Sequence, residues 1–151
     1  VDRLQADTMQ AFRDAPLRTV PGVVEAIDAI EAAGIATCVA SSGGLDKMRV
    51  TLGITGLWSR FEGRIFSSTQ VPRGKPFPDL FLHAAIEMNE QPFDSVVVED
   101  SLPGIQAARA AGMRALAYVG APYSDAEALR AAGGRTFESM SSLPMLAWAG
   151  R

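Results

Sequence analysis

The stretch VVVEDSLPGI, residues 96–105, decides the fold class of this chain. Its three consecutive valines predict a short strand that is buried on both faces, as strands of parallel sheets are. Glu99 and Asp100 follow at the end of that strand, and the Leu-Pro-Gly that comes next is typical of a first helical turn. A strand that passes through a polar turn into a helix is the repeating unit of α/β proteins.

The same succession of apolar run, polar turn and helical pattern recurs along the chain. Strands are predicted at residues 35–40, 64–67, 96–98, 115–119 and 135–137. Helices are predicted at residues 4–12, 23–30, 45–52, 79–88, 105–111, 124–132 and 143–148, with Gly34 ending the second of them. This alternation predicts a doubly wound, Rossmann-like α/β fold in which about five strands form one parallel sheet.

Length and composition limit the classes of function. A chain of 151 residues is expected to form one domain, and its single cysteine, Cys38, excludes an intramolecular disulfide framework. Lys and Arg number 14 against 17 Asp and Glu, without a basic run, so a nucleic-acid partner is not expected. No apolar stretch approaches the roughly 18 residues of a membrane span and no signal segment opens the chain, so we expect no membrane partner and a cytoplasmic location.

Polar residues follow the first three predicted strands, where ligands bind in open parallel sheets. Ser41 and Ser42 precede two glycines, Lys75 lies in the loop after the second strand, and Glu99 and Asp100 end the third. Hydroxyl groups and the backbone N–H groups of a glycine-rich turn can donate to phosphate, and a lysine can offset phosphate charge. Carboxylates suit Mg²⁺. Each group alone also fits an ordinary loop, helix cap or solvated charge.

Taken together, residues 39–42 (VASS), 74–79 (GKPFPD) and 96–105 resemble three motifs of the haloacid dehalogenase-like (HAD) hydrolase superfamily, in the order of that family. The match is closest to the branch that contains phosphoglycolate phosphatases, small sugar-phosphate phosphatases and β-phosphoglucomutase. This resemblance implies a Mg²⁺-dependent phosphatase of small phosphorylated metabolites, sugar phosphates foremost, which acts through an aspartyl-phosphate intermediate.

The resemblance also assigns roles to individual residues. It implies that Ser41 and the backbone N–H of Ser42 bind the transferring phosphoryl group. Lys75 would steady that group and the nucleophile, so Ser41 and Lys75 are the predicted catalytic residues of this chain. Asp100 would ligate Mg²⁺, and Glu99 would be a second ligand or support one. We therefore predict that Ser41, Lys75 and Asp100 converge around one phosphate-sized space.

One family motif has no counterpart in the sequence. The Asp-x-Asp that supplies the nucleophile and the general acid/base in this family is not found before Ser41, because Asp2, Asp7 and Asp14 follow no apolar strand. Residues 1–20 resemble the tail of a helical cap, and residues 21–151 an α/β core without its first strand, which would belong beside residues 96–98. We expect an N-terminally truncated sequence that lacks its nucleophile.

Three alternatives remain open from the sequence. A β-phosphoglucomutase-like phosphosugar mutase would keep the same residues. A receiver-like signalling domain also surrounds a phosphoryl group with carboxylates, a hydroxyl and a lysine, but in a different chain order from Ser41, Lys75 and the acidic pair. A non-catalytic phosphate-binding remnant would also lack the nucleophile. The sequence does not indicate which metabolite is bound or what the oligomeric state is.

Overall fold

The computed structural model describes residues 6, 7, 10, 11, 14 and 17–149. The strands are β1 (Val39–Ser41), β2 (Ile65–Ser67), β3 (Val96–Glu99), β4 (Arg114–Tyr118) and β5 (Arg135–Phe137). The helices that follow residue 17 are α1 (Val23–Ala32), α2 (Leu45–Ile54), α3 (Trp58–Phe61), α4 (Asp79–Glu87), α5 (Leu102–Ala110), α6 (Ala126–Ala131) and α7 (Leu143–Trp148). No helix in this described part of the chain is long and apolar enough to cross a membrane.

The boundaries of α1 and α4 follow from local sequence. Helix α1 ends before Gly34, which adopts φ +80, a left-handed conformation that a side chain disfavours. Helix α4 begins after Pro78, and Asp79 places a carboxylate in its first turn, at the positive end of the helix dipole. Most of the predicted cap tail, residues 1–20, lies outside the described residues, although residues 6, 7, 10, 11 and 14 are helical.

All pairings between the described strands are parallel, as predicted, but the expectation of a single sheet is wrong. β1 pairs with β2 in one sheet, and β3, β4 and β5 form a second sheet in that order. The first predicted strand also differs, because only Val39–Ser41 pairs with β2 whereas residues 35–38 precede the strand.

A cavity of about 230 Å³ lies between the facing edges of the two sheets. This inter-sheet slot is bordered by Cys38 and Ala40 on one side and by Val96 and Val98 on the other. In β3 the pairing with β4 uses the carbonyl of Ser95, so the alternate residues direct their backbone groups towards the slot. No described strand lies between β1 and β3, and their facing edges therefore do not pair.

Helices cover both faces of the strands, which confirms the doubly wound α/β architecture. On one face α4 and α5 pack against β3 and β4 in a core that includes Phe81, Ile105 and Ala117. On the other face α1 and α7 pack against Leu116 of β4 and Phe137 of β5. Helix α4 also contacts β1 and β2, so it joins the two sheets across the slot.

Candidate active site

A second cavity, of about 570 Å³, lies at the carboxyl ends of β1 and β3. The predicted site residues that line it are Ser41, Ser42, Lys75, Glu99 and Asp100. The structure thus brings together all five residues singled out from the sequence, although they come from both sheets. Ala40 and Val98 line this cavity and also the inter-sheet slot, so the slot opens towards the site.

Lys75 and Glu99 form an ion pair at the floor of the site. Their side chains are only 9% and 11% exposed, so each charge depends on the other for compensation. Lys75 Nζ also donates to the backbone carbonyl of Ala40, at 3.3 Å, and lies 4.9 Å from the centroid of the Phe81 ring. The lysine therefore joins the end of β1 to the end of β3.

The Glu99 carboxylate turns back towards the start of α5. Its Oε2 accepts from Ser101 Oγ at 3.0 Å and from the backbone N–H of Asp100 at 3.2 Å. A Cβ atom on Gly104 would lie 2.1 Å from the Glu99 carboxylate carbon, so this conformation requires a glycine there. Both Glu99 carboxylate oxygens thus have partners within the chain, a pairing that the sequence did not reveal.

Two serine side chains at the end of β2 hold the turn that follows β1. Ser67 Oγ, which is fully buried, donates to the Gly43 carbonyl at 2.7 Å, and Ser68 Oγ donates to the Ser42 carbonyl at 2.8 Å. Ser41 Oγ accepts from the backbone N–H of Gly43 at 3.1 Å and keeps its own proton for another acceptor. The sequence predicted no role for Ser67 or Ser68, because nothing in the chain order shows that the end of β2 lies beside the turn after β1.

Asp100 is exposed at the cavity, in contrast to its neighbour Glu99. Its hard carboxylate oxygens fit a divalent cation such as Mg²⁺. Within the described residues, however, no group of three or more His, Cys, Asp and Glu side chains is placed to hold a metal ion. The described residues therefore supply only some of the ligands that a Mg²⁺ ion needs.

These groups together can receive a phosphate. Ser41, with its hydroxyl, Ser42, which precedes α2, and Lys75, with its amine, all line one cavity, and hydroxyl, backbone N–H and amine donors stabilise anionic oxygens. No carboxylate from β1 itself enters the cavity, because β1 ends in serine.

Comparisons with known proteins show the family of the chain. A family model described as haloacid dehalogenase-like hydrolase matches residues 3–112. The 6-phosphogluconate phosphatase of Escherichia coli is 31% identical over 147 residues, which cover 97% of this chain and 63% of that enzyme. The chain thus spans less than two thirds of the length of that curated relative.

Solved structures show the same similarity. A haloacid dehalogenase-like protein from Agrobacterium tumefaciens superposes with a TM-score of 0.82 at 31% identity and covers 99% of this chain and 70% of its own. A structure from Thermotoga maritima described as a β-phosphoglucomutase reaches a TM-score of 0.85 at 26% identity and covers 99% and 68%. The family match argues against the receiver-like alternative.

Proposed function

This chain belongs to the haloacid dehalogenase-like hydrolases, and on that premise we propose that it is the phosphate-binding core of a phosphatase of small phosphorylated metabolites. The observation that carries this proposal is the convergence of Ser41, Lys75 and Asp100 at the edge shared by the two sheets. The name of the E. coli relative, a phosphatase of a sugar acid phosphate, supports sugar phosphates as the substrate class.

We assign the binding of the phosphoryl group to the β1 end and to Lys75. The Ser41 hydroxyl and the backbone N–H of Ser42 donate to its oxygens, while the Lys75 amine supplies a positive charge. Glu99 holds that amine in place, since the two side chains are paired and nearly excluded from water. Ser67 and Ser68 bind the Gly43 and Ser42 carbonyls and so hold the turn beside the cavity.

The proposed nucleophile is a carboxylate at the end of a strand seated in the inter-sheet slot. Such a strand would pair with β1 and β3 and would end at the site, because Ala40 and Val98 line both cavities. The carboxylate attacks phosphorus, the bond to the leaving oxygen breaks, and that oxygen takes a proton from an acid. Water then hydrolyses the aspartyl phosphate to inorganic phosphate and regenerates the carboxylate.

Asp100, supported by Glu99, is the proposed protein side of a Mg²⁺ site. When bound, Mg²⁺ would neutralise part of the charge gathered between an anionic nucleophile and an anionic substrate. With Asp100 alone exposed and Glu99 paired to Lys75, the described residues complete only part of an octahedral shell. We therefore expect weak Mg²⁺ binding by the 151-residue chain.

The alternative function is a phosphosugar mutase. The likeness to the Thermotoga structure described as a β-phosphoglucomutase favours it. A mutase would return the phosphoryl group to a second hydroxyl of the sugar instead of to water. Product analysis distinguishes the two, because only the phosphatase releases inorganic phosphate.

Calorimetric titration with inorganic phosphate tests the proposed site. The wild-type chain is expected to bind phosphate, and both Lys75→Ala and Ser41→Ala are expected to weaken the binding. Arg130→Ala is a matched control, because Arg130 is exposed on α6, bonds to Thr136 and lies outside the cavity lining. Circular dichroism establishes that each variant is folded. Absence of phosphate binding by the folded wild type, or site variants that bind phosphate as tightly as the wild type, would overturn the proposal.

The inter-sheet slot leads to a separate prediction about the coding sequence. The coding sequence upstream of Val1 is expected to read as an apolar strand that ends in an acidic residue. The 151-residue chain is expected to bind phosphate without hydrolysing phosphate esters, and a chain extended by that segment is expected to hydrolyse them. An upstream sequence without such a strand would contradict the proposed source of the nucleophile and leave the phosphate site itself intact.

A further inference from the structure

The loop that carries Lys75 is closed by an ion pair between its two ends. Arg73 Nη2 donates to Asp79 Oδ1 at 2.9 Å, and Arg73 Nε donates to Asp79 Oδ2 at 3.2 Å. This two-pronged geometry fixes the orientation of both side chains better than a single contact does. We call Arg73 and Asp79 together the loop clamp.

Two further features make the clamp more than a surface salt bridge. The Arg73 guanidinium lies 4.4 Å from the centroid of the Phe77 ring, which belongs to the enclosed loop. The Asp79 side chain is only 15% exposed, whereas that of Arg73 is 56% exposed. The hydrogen bond from Arg73 lowers the pKa of Asp79, and the same bond raises the pKa of Arg73.

The clamp connects the loop to the helix against which Lys75 rests. Asp79 is the first residue of α4, and Phe81, two residues later, lies beneath the Lys75 amine at 4.9 Å. Arg73 thus ties the start of the loop to the first turn of that same helix. The backbone of Lys75 is held at both sides, between Arg73 and Asp79, while its side chain reaches Glu99 and the Ala40 carbonyl.

We propose that Arg73 and Asp79 are positioning residues that hold the Lys75 amine over Phe81 and against Glu99. Neither residue lines the cavity, so neither is assigned contact with the substrate. The inference deepens the proposed function, since the importance of a positioned Lys75 rests on its binding a phosphoryl group.

A purely electrostatic effect of Arg73 and Asp79 on phosphate binding predicts a different result from a positioning role. Loss of the Arg73 charge would weaken the binding of an anion through the general field, but loss of the Asp79 charge would strengthen it. A positioning role predicts that both Arg73→Ala and Asp79→Asn weaken phosphate binding. Because the two substitutions change the net charge in opposite directions, a parallel effect separates positioning from field effects.

The experiment uses nuclear magnetic resonance on the 151-residue chain with Lys75 assigned. The Lys75 side chain lies over the Phe81 ring, so its CεH₂ protons carry a ring-current shift that does not depend on phosphate. The variants are Arg73→Ala, Asp79→Asn and the control Arg130→Ala, and the titrant is inorganic phosphate. Thermal melting of each variant shows that the fold persists.

In both clamp variants the Lys75 CεH₂ resonances are expected to move towards free-lysine values. Phosphate affinity is expected to fall about tenfold, the ratio that loss of one hydrogen bond to a charged group produces. Arg130→Ala is expected to change neither measurement.

Unchanged Lys75 resonances in both folded clamp variants would overturn the positioning role, whatever the phosphate affinity. Tighter phosphate binding by Asp79→Asn would do the same and would assign the effect to charge. Failure of the wild type to bind phosphate, with Lys75 resonances that still move in the variants, would contradict the proposed function and leave the clamp established.

Discussion

The three-stranded sheet and the two-stranded sheet share strand direction but are stabilised differently. In the three-stranded sheet, β4 has a neighbour on each side, and its Leu116 and Ala117 are 3% and 0% exposed. Helices α5 and α1 cover its two faces, and Ile105 of α5 is completely buried. Apolar packing on both faces therefore accounts for the stability of this region.

The two-stranded sheet is less well covered. Every residue of β1 is half-buried, and one edge of the strand faces the slot. Polar groups next to its two strands connect it to Glu31 of α1: Thr37 Oγ1 donates to Glu31 Oε1 at 2.5 Å, and Arg64 Nη1 lies 3.8 Å from the same oxygen. A parallel strand that lacks one neighbour thus relies on polar connections to a helix as well as on packing.

Truncation of matched isoleucines gives the largest expected difference. Ile105→Ala is expected to lower the free energy of unfolding by about 2–5 kcal/mol, because it opens a cavity in a fully buried core. Ile65→Ala in β2 is expected to cost clearly less, since Ile65 is only half-buried. Urea unfolding of both variants measures the two losses. Equal losses would contradict the proposed difference between the sheets.

A substitution at the junction of the two sheets is expected to have an intermediate effect. In Gly104→Ala the new methyl would overlap the Glu99 carboxylate and displace it from Lys75. Leaving those buried partners unsatisfied is expected to cost about 1–3 kcal/mol and to weaken phosphate binding.

The matched control for that change is Gly53→Ala in α2. A Cβ atom on Gly53 meets nothing within 4 Å, so the substitution is expected to stabilise the helix by about 0.5–1 kcal/mol. Urea unfolding measures the stability of both variants, and phosphate titration measures their affinity. Similar stability changes in the two would show that Glu99 can move without cost.

The smallest effect is the pH dependence of the polar connection to β1. The pKa of Glu31 is lowered from its ordinary 4.5, first by the hydrogen bond from the Thr37 hydroxyl and then by the bond from Arg60. The unfolded chain therefore binds a proton more readily, and the contribution of Glu31 is complete above pH 4.5 and lost as the pH falls through the lowered value. Because Glu31 is partly exposed, the contribution is expected to be about 0.2–1 kcal/mol.

Chemical unfolding of Glu31→Gln between neutral and acid pH measures the contribution of Glu31 to stability. The variant is expected to be less stable than wild type at pH 7, with the two converging in acid. Glu138→Gln changes the same charge at an exposed position after β5, outside the helices, and is expected to match wild type throughout. Parallel curves for Glu31→Gln and wild type would show that the Glu31 network contributes no pH-dependent stability.

Most elements of the fold were predictable from the sequence, although α3 was not predicted, α5 begins three residues before its predicted start, and the first strand beside the slot was placed too early. Periodicity predicted strands near β2 to β5 within one or two residues of their ends. It placed the first strand at residues 35–40, but the ladder exists only at Val39–Ser41. Apolar residues predict where a strand can form, whereas a ladder also needs a partner, and none of the described strands occupies the slot side.

The sequence by itself determined which residues stand at the carboxyl ends of the strands. Ser41 and Asp100 were identified because polar residues at the end of a buried apolar run lie at that edge in any parallel arrangement, and Lys75 because its loop follows the second predicted strand. Their convergence in one cavity follows from the same rule once the crossovers have a common hand.

Only the tertiary structure decided how those residues are paired. Lys75 and Glu99 are 24 positions apart, and their contact depends on how α4 packs across both sheets. Ser67 and Ser68 likewise reach the Gly43 and Ser42 carbonyls from a neighbouring strand. Periodicity fixes the face and the end of an element on which a residue lies. The distance between side chains of different elements depends on packing and register, which one sequence does not specify.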